Sequence, residues 1–210
     1  MEMQQMHGNL SQGEDVRDFW VWLDFSNFLV KHHVCTIGSF SSAGIFRTND
    51  GELPNAPFIL NPPFTGDFSP FTLGVVWAYL HEYNLENQRA ALYPQYPSRL
   101  NAVFLLNSEE DAQLYKDAHP EHVGNRVLRK VKTRGPYVYS IHDAAWIDYL
   151  RGPDGKSDQT INHISDAYWQ GLPAEAYELT SLGKQWSKPS VREVLFIGRV
   201  EFYDRSLPKE

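Results

Sequence analysis

The end of the chain constrains the fold most, because residues 193–202 carry the strongest β-strand signal in the sequence. This segment includes four consecutive apolar residues, Val194 to Ile197, a run typical of a strand. Further strands are predicted at 32–37, 100–106, 127–132 and 137–140, and helices at 16–28, 73–92, 108–118 and 161–169. Helices and strands do not alternate strictly, so this order predicts an α+β fold and disfavours a doubly wound parallel sheet.

Local signals support one of these boundaries and predict a turn with a short helix and a long loop. Ser108 followed by Asp111 forms an acceptable capping box for the helix that runs to Ala118. Residues 38–46 are interpreted as a turn leading into a short helix. Residues 53–70 are rich in Pro, Asn, Gly and Phe, which predicts a long ordered loop packed by its aromatic side chains. Loops of that length are usually functional.

Length and composition predict one folded domain. With 210 residues, 42% of them hydrophobic, the chain has enough apolar mass for one core and is not disordered over most of its length. We expect a flexible tail at 1–14, followed by a single domain at 15–210. The single cysteine excludes a disulfide framework and fits a reducing compartment, so a cytoplasmic location is expected. The N-terminus has no secretory pattern, and no run approaches the roughly 18 apolar residues of a membrane span.

Several common catalytic motifs are absent. The sequence has no G-x-G-x-x-G dinucleotide fingerprint and no G-x-S-x-G elbow. Gly155, Lys156 and Ser157 imitate the end of a phosphate-binding loop, but Leu150 stands where its first glycine belongs. His119 and His122 have the spacing of a metal pair, yet Pro120 between them and the lack of a third ligand favour a solvated turn. We therefore predict no metal.

The charge pattern leaves the choice of partner open. The net charge of -7 means that the protein as a whole repels nucleic acid. Within nine positions, however, stand five basic residues: Arg126, Arg129, Lys130, Lys132 and Arg134. This cluster could contact RNA, DNA or an acidic partner, with Tyr137 and Tyr139 available to stack on bases, or it could be a solvated strand face.

Three segments, taken in order, resemble parts of a known enzyme family. The first begins at His33 and runs into 39–46; the second is the strand 102–107 with the helix that carries Tyr115; the third is Arg192-Glu193-Val194-Leu195-Phe196. They resemble the strands that build the nicotinamide pocket of ADP-ribosyltransferases with a His, Tyr, Glu site. Residues 97–99 and 167–171 resemble segments of short bacterial and phage members.

The resemblance implies a fold, a substrate and a set of site residues. The fold is a split pair of antiparallel β-sheets flanked by helices, with NAD in the cleft between the sheets and no glycine fingerprint. NAD is the substrate, and no metal takes part. The resemblance makes Glu193 catalytic and assigns NAD contacts to His33, Tyr115, Arg99, Ser98 and Phe104. Many arginine-modifying members carry Glu or Gln two residues before the catalytic glutamate; this chain has Val191 there, which argues against arginine as the acceptor.

The chemistry explains the residue types, and each also has an ordinary structural interpretation. Cleavage between nicotinamide and ribose creates an oxocarbenium-like centre that a carboxylate such as Glu193 stabilises; otherwise Glu193 only begins a solvated edge strand. Tyr115 offers a flat ring to nicotinamide or packs in the core. Arg99 suits a pyrophosphate or forms a surface salt bridge. His33 donates a hydrogen bond to the adenosine ribose or the carboxamide side of NAD, or is partly exposed and has no role.

These arguments predict an NAD-dependent mono-ADP-ribosyltransferase that modifies a macromolecule, either protein or nucleic acid. By resemblance it is a bacterial toxin, a defence effector or a phage factor, and a toxin would imply a neutralising antitoxin. Two alternatives stay open: a catalytically inactive α+β binding module, and an NAD glycohydrolase that uses the same pocket.

Overall fold

The computed structural model describes residues 9–42, 70–152, 156–186 and 188–208, with the side chains of 70–80 excepted. The predicted loop at 53–70 therefore lies outside the described residues, apart from the backbone of Pro70. So do the first eight residues of the predicted tail and the second half of the helix predicted within 38–46.

The described segments contain both strands and helices. The strands are β1 (Leu10–Gly13), β2 (Asp18–Leu23), β3 (Ser39–Ser41), β4 (Val103–Leu106), β5 (Val127–Asp143), β6 (Leu179–Ser181), β7 (Lys184–Trp186) and β8 (Arg192–Phe202). The helices are α1 (Phe28–His32), α2 (Pro70–Leu92), α3 (Glu109–Ala118), α4 (Pro120–Val123), α5 (Ala145–Leu150) and α6 (Asp158–Trp169). A π-helical turn, His33–Ile37, follows α1, and a 3-10 turn spans Ala174–Ala176.

Six antiparallel strands form one sheet in the order β1-β5-β2-β4-β8-β3. The two longest strands, β5 and β8, also pair with each other, which closes β2, β4, β8 and β5 into a ring. That pairing has a register shift between Arg134 and Val138, as a β-bulge or a similar irregularity produces. Strands β6 and β7 form a separate two-stranded sheet. The α+β class with antiparallel strands is confirmed, whereas closure of the sheet through β5 and β8 has no signal in the sequence.

Three local predictions near the N-terminus are wrong. Residues 16–28 do not form a helix: β2 pairs with β5 along its whole length, from Asp18↔Lys132 to Leu23↔Val127. Residues 32–37 do not form a strand but continue α1, whose N-cap Asn27 accepts the Leu29 N–H. Gly38 ends this helix with a φ of 78°, and Ser39–Ser41 then form a strand instead of a turn. His33 therefore lies in a helical turn and not at the start of a strand.

The later elements follow the predictions more closely. Helices α2, α3 and α6 and strands β4 and β8 all occur, and Ser108 caps α3 by accepting the Asp111 N–H. The predicted strands at 127–132 and 137–140 are two parts of the single strand β5. Residues Leu10–Gly13 of the predicted tail form β1 and pair with β5.

The core has two main clusters on the two faces of the sheet. The first lies under α2, α5 and α6 and includes Trp146, Trp169 and Leu195. The second includes Phe19 and Phe196. Strand β8 supplies residues to both clusters because successive side chains of a strand point to opposite faces, and this explains its unbroken apolar run. Among the described residues, no helix is long and apolar enough to cross a bilayer.

Candidate active site

A cavity of about 490 Å³ opens beside β2 and β4, which share a single residue pair, Trp20↔Leu106. Its walls combine apolar, aromatic and basic side chains with one buried carboxylate. The lining residues are Val21, Trp22, Leu23, Asp24, Val30, Arg99, Phe104, Leu105, Leu106, Tyr115, His122, Arg126, Arg151 and Glu193.

The carboxylate belongs to Glu193, which lies near the start of β8 and is 8% exposed. Its Oε1 accepts hydrogen bonds from Arg99 Nη1 and from the Tyr168 hydroxyl, the latter at 2.6 Å. Its Oε2 accepts no hydrogen bond from any described residue. Glu193, which lines the cavity, is therefore fixed through one oxygen, and its other oxygen has no hydrogen-bond partner among the described residues.

Arg99 holds this carboxylate in place and is itself buried. Its Nε and Nη2 donate to the two Glu82 oxygens at 2.7 and 3.1 Å, and its Nη1 also donates to Tyr168 Oη at 2.5 Å. The guanidinium lies 4.8 Å from the centre of the Phe104 ring. Burial lowers the pKa of Arg99, but Glu193, Tyr168 and Glu82 outweigh burial and raise it well above its ordinary value. Arg99 therefore stays charged and positions Glu193, with few donors left for a pyrophosphate.

Tyr168 donates to the same oxygen from α6. Burial raises the pKa of its phenol well above the ordinary value, and the Glu193 carboxylate raises it further. The neutral hydroxyl is thus the stable form, and it can serve as a permanent hydrogen-bond donor.

Tyr115 and His122 form a second polar group in the cavity. The Tyr115 hydroxyl lies 2.8 Å from His122 Nδ1, and the Tyr115 ring lies 4.6 Å from that of His119. Burial raises the pKa of Tyr115, as does Glu193. Burial lowers the pKa of His122, as does Arg126.

Two further arginines bring positive charge to the cavity. Arg151 donates from Nη2 to Glu82 Oε1 at 2.7 Å, and Arg126 donates from Nη1 to the His122 carbonyl. Their side chains are less buried than that of Arg99, with Arg151 40% exposed. Both line the cavity and are better placed than Arg99 to meet an anion.

Four of the six residues predicted for the site meet in this cavity: Arg99, Phe104, Tyr115 and Glu193. The other two do not line it. Ser98 is buried and donates to Glu86 Oε2 at 2.8 Å, so it anchors the segment that carries Arg99. His33 Nδ1 lies 3.0 Å from the Ser39 carbonyl. Sequence reasoning missed Glu82 and Arg151, whose roles depend on contacts across the fold.

The basic cluster is largely neutralised by acidic neighbours. Only Arg126 of its five members lines the cavity. The other four lie within 4.0 Å of carboxylates: Arg129 of Asp204, Lys130 of Asp18, and Lys132 and Arg134 of Glu201. These five residues do not form one unpaired basic face.

The histidine pair is also engaged in hydrogen bonds. His119 Nε2 lies 3.2 Å from Asp148, which also accepts from Lys188 Nζ at 3.0 Å. Within the described parts of the chain, no group of three or more His, Cys, Asp or Glu side chains could hold a metal ion.

The fold and the cavity together define an α+β protein with a closed antiparallel sheet and a buried carboxylate at the wall of a basic, aromatic cleft. The chain belongs to the family described as "Protein of unknown function (DUF2441)", whose model matches residues 69–205. That span contains Arg99, Tyr115 and Glu193. A search of curated proteins found no match.

Proposed function

We propose that the cleft binds NAD, and that the protein cleaves the nicotinamide–ribose bond and transfers ADP-ribose to a macromolecule. One observation carries the proposal: Glu193 is a buried carboxylate with one oxygen fixed by Arg99 and Tyr168 and the other left without a partner among the described residues.

The reaction needs such a group. As the C–N bond breaks, nicotinamide leaves with its electron pair as a neutral molecule, and positive charge develops on the ribose. A preorganised carboxylate stabilises that charge most effectively where water is excluded. Because Arg99 and Tyr168 fix Glu193 before the substrate arrives, no reorganisation is needed during the reaction.

The other walls suit the rest of the molecule. The cavity volume of about 490 Å³ is within the range of small-molecule sites. Trp22, Phe104 and Tyr115 offer aromatic surface to a planar ring. Arg126 and Arg151, and not Arg99, supply the guanidinium groups for a pyrophosphate.

The sequence resemblance supports the same conclusion. The strand with Phe104, the helix with Tyr115 and the strand with Glu193, which resemble parts of the ADP-ribosyltransferase pocket, contribute to one cavity. An ADP-ribosyltransferase-like arrangement of the strands, and a role as a toxin, defence effector or phage factor, are parts of this proposal. The net charge and the acid-paired basic cluster favour a protein acceptor over nucleic acid.

A second candidate is an inactive binding module. The same contacts between Glu193, Arg99 and Glu82 could form a buried ion-pair network that only holds α2, the Arg99 segment and β8 together. This candidate predicts no NAD cleavage. An NAD glycohydrolase, by contrast, would release nicotinamide without labelling a macromolecule.

The test measures nicotinamide release and transfer of label from adenine-labelled NAD, with purified full-length protein in the presence of cell extract. Glu193→Gln is expected to lower nicotinamide release by about 100- to 1000-fold, since it removes a charge that acts mainly in the transition state. Its affinity for NAD should stay nearly unchanged in calorimetry. Glu201→Gln, on the same strand but outside the cavity, is the matched control and should retain full activity.

Protease and nuclease treatment of the labelled extract then identifies the acceptor. Label that protease removes and nuclease leaves indicates a protein acceptor. Absence of NAD binding by the unaltered protein, or full activity of Glu193→Gln, would overturn the proposed function.

A further inference from the structure

We propose that Tyr115 and His122 form a proton relay that receives the proton of the nucleophile attacking the ribose. This inference rests on the proposed function, because it assigns a role within the same cleft. Tyr115 and His122 line the cavity together with Glu193, and the Tyr115 hydroxyl lies 2.8 Å from His122 Nδ1.

Neighbouring residues hold the pair in place. Tyr115 belongs to α3, and its ring packs on His119, whose Nε2 lies 3.2 Å from Asp148. His122 belongs to the short helix α4, and its carbonyl accepts a hydrogen bond from Arg126. The hydroxyl and the imidazole thus face each other from two consecutive helices, each with its own support.

The charges around the pair keep both groups neutral before the nucleophile arrives. Partial desolvation lowers the pKa of His122, and the positive charges of Arg126 and Arg151, together with His119, lower it further. A neutral imidazole with an unprotonated Nδ1 can accept the Tyr115 hydrogen bond. Burial, Glu193 and Asp148 raise the pKa of Tyr115, so its phenol keeps its proton until the nucleophile supplies another.

With the relay, every electron pair and every proton of the proposed reaction has a destination. A lone pair of the nucleophile X–H forms a bond to C1′ of the ribose, and nicotinamide departs with the electrons of the broken C–N bond. The proton of X–H passes to Tyr115 Oη, and the phenol proton passes to His122 Nδ1. His122 is exposed, so its imidazolium releases the proton to solvent and restores the starting state.

Because Tyr115 and His122 take the proton in this relay, Glu193 accepts none and keeps its negative charge. If Glu193 accepted the proton, it would lose the negative charge that stabilises the ribose cation at the moment of attack. A relay through Tyr115 and His122, the second polar group of the cavity, avoids that conflict.

The experiment compares two nucleophiles with the full-length protein. Water must lose a proton when it attacks, whereas the azide anion attacks without losing one. Tyr115→Phe and His122→Gln are expected to slow nicotinamide release in water by about 100-fold, and to slow the azide-dependent reaction by less than about threefold. Tyr203→Phe and His163→Gln, exposed residues outside the cavity, are the controls and should match the unaltered protein.

The pH profile gives a second measurement. In water the rate should rise with pH through the lowered pKa of His122 and then level off, because only the neutral imidazole accepts a proton. Both variants should lose this rise. Equal losses with water and azide would show that Tyr115 and His122 only support the structure, and would overturn the relay while leaving the proposed function intact. Failure of the unaltered protein to release nicotinamide with water, azide or cell extract would overturn both.

Discussion

The centre of the candidate site is a single cation between two carboxylates. Arg99 bonds Glu82 on one side and Glu193 on the other, and Arg151 adds a second positive charge at Glu82. Buried ion pairs of this kind contribute little net stability compared with apolar packing, because desolvation offsets their attraction. What this arrangement does provide is a carboxylate with a fixed position among the residues that line the cavity.

Removal of Arg99 should be costly at neutral pH. In Arg99→Ala, the buried Glu193 carboxylate loses its cation and Glu82 keeps only Arg151, so we expect the free energy of unfolding to fall by about 3–5 kcal/mol at pH 7. Burial alone raises the pKa of Glu82, and Arg99 is the main group that lowers it. Without Arg99 the Glu82 carboxyl can protonate at mildly acidic pH. The difference in the free energy of unfolding between Arg99→Ala and the unaltered protein should therefore become smaller toward pH 4.

Urea denaturation at several pH values measures this effect. Arg134→Ala is the control, since Arg134 is 59% exposed and its ion pair with Glu201 lies at the surface; it should cost less than about 1 kcal/mol. Equal costs for the two variants would contradict the role assigned to Arg99.

At the scale of elements, the sequence predicts what local patterns determine and misses what distant pairing determines. α3 is predictable because its cap residue, Ser108, and its apolar spacing are local. β2 has the sequence pattern of a helix because Val16, Phe19, Trp20 and Leu23 lie at helical spacing; its pairing with β5, more than 100 residues away, decides the outcome.

In the candidate site, too, local patterns predict some residues, whereas others depend on contacts between distant parts of the chain. Phe104, Tyr115 and Glu193 can be proposed because each lies in an element with a recognisable pattern. Glu82 and Arg151 have no local signal, since they reach Arg99 and the cavity only through the packing of α2 and α5. Arg99 itself is predictable for the site, but its burial between two carboxylates cannot be inferred from its neighbours in the sequence.

Strand β8 depends on a glycine at its centre. Gly198 has a φ of 150°, and a Cβ there would lie 2.9 Å from both Phe196 Cζ and Tyr137 Cβ. Gly198→Ala should therefore lower the free energy of unfolding by about 3 kcal/mol, from backbone strain of about 1–3 kcal/mol and overpacking of similar size.

Gly183→Ala provides the matched comparison by chemical denaturation. Gly183 also has a positive φ, of 74°, but no described atom lies within 4 Å of the position that an alanine methyl would take there. Only the strain of about 1–2 kcal/mol should remain. If Gly198→Ala lowers the free energy of unfolding no more than Gly183→Ala does, the side chains around Gly198 can move aside without loss of stability.

At the scale of the whole molecule, His142 joins the sheet to the helical layer. Its Nδ1 bonds the Tyr168 carbonyl at 2.8 Å, its Nε2 lies 2.7 Å from Ser140 Oγ, and its ring stacks on Tyr168. Burial lowers its pKa to about 3. The folded protein therefore keeps a neutral imidazole in the range where the unfolded chain binds a proton.

This difference makes global stability depend on pH. The contribution of neutral His142 is fully present above its unfolded pKa of 6.5 and is lost as the pH falls toward 3. We expect the free energy of unfolding to decrease by up to about 1.4 kcal/mol per pH unit below pH 6.5 from this residue. Urea denaturation between pH 7 and pH 5 measures the slope.

His142→Gln should flatten that slope, because the amide does not titrate. His163→Gln removes an exposed histidine and should leave the slope unchanged. If His142→Gln keeps the full pH dependence, another group is responsible.

The single pair that joins β2 to β4 has a consequence for recognition. β2 uses one of its edges for β5 along its whole length, but its other edge meets β4 only at Trp20, and the next residues of β2 line the cavity. Main-chain amide and carbonyl groups on that edge are thus not engaged by any described strand. Such an edge offers the hydrogen-bonding groups that an additional strand would use. Main-chain hydrogen bonds of this kind do not depend on which side chain each residue carries. Alanine scanning along β2 will therefore not detect them.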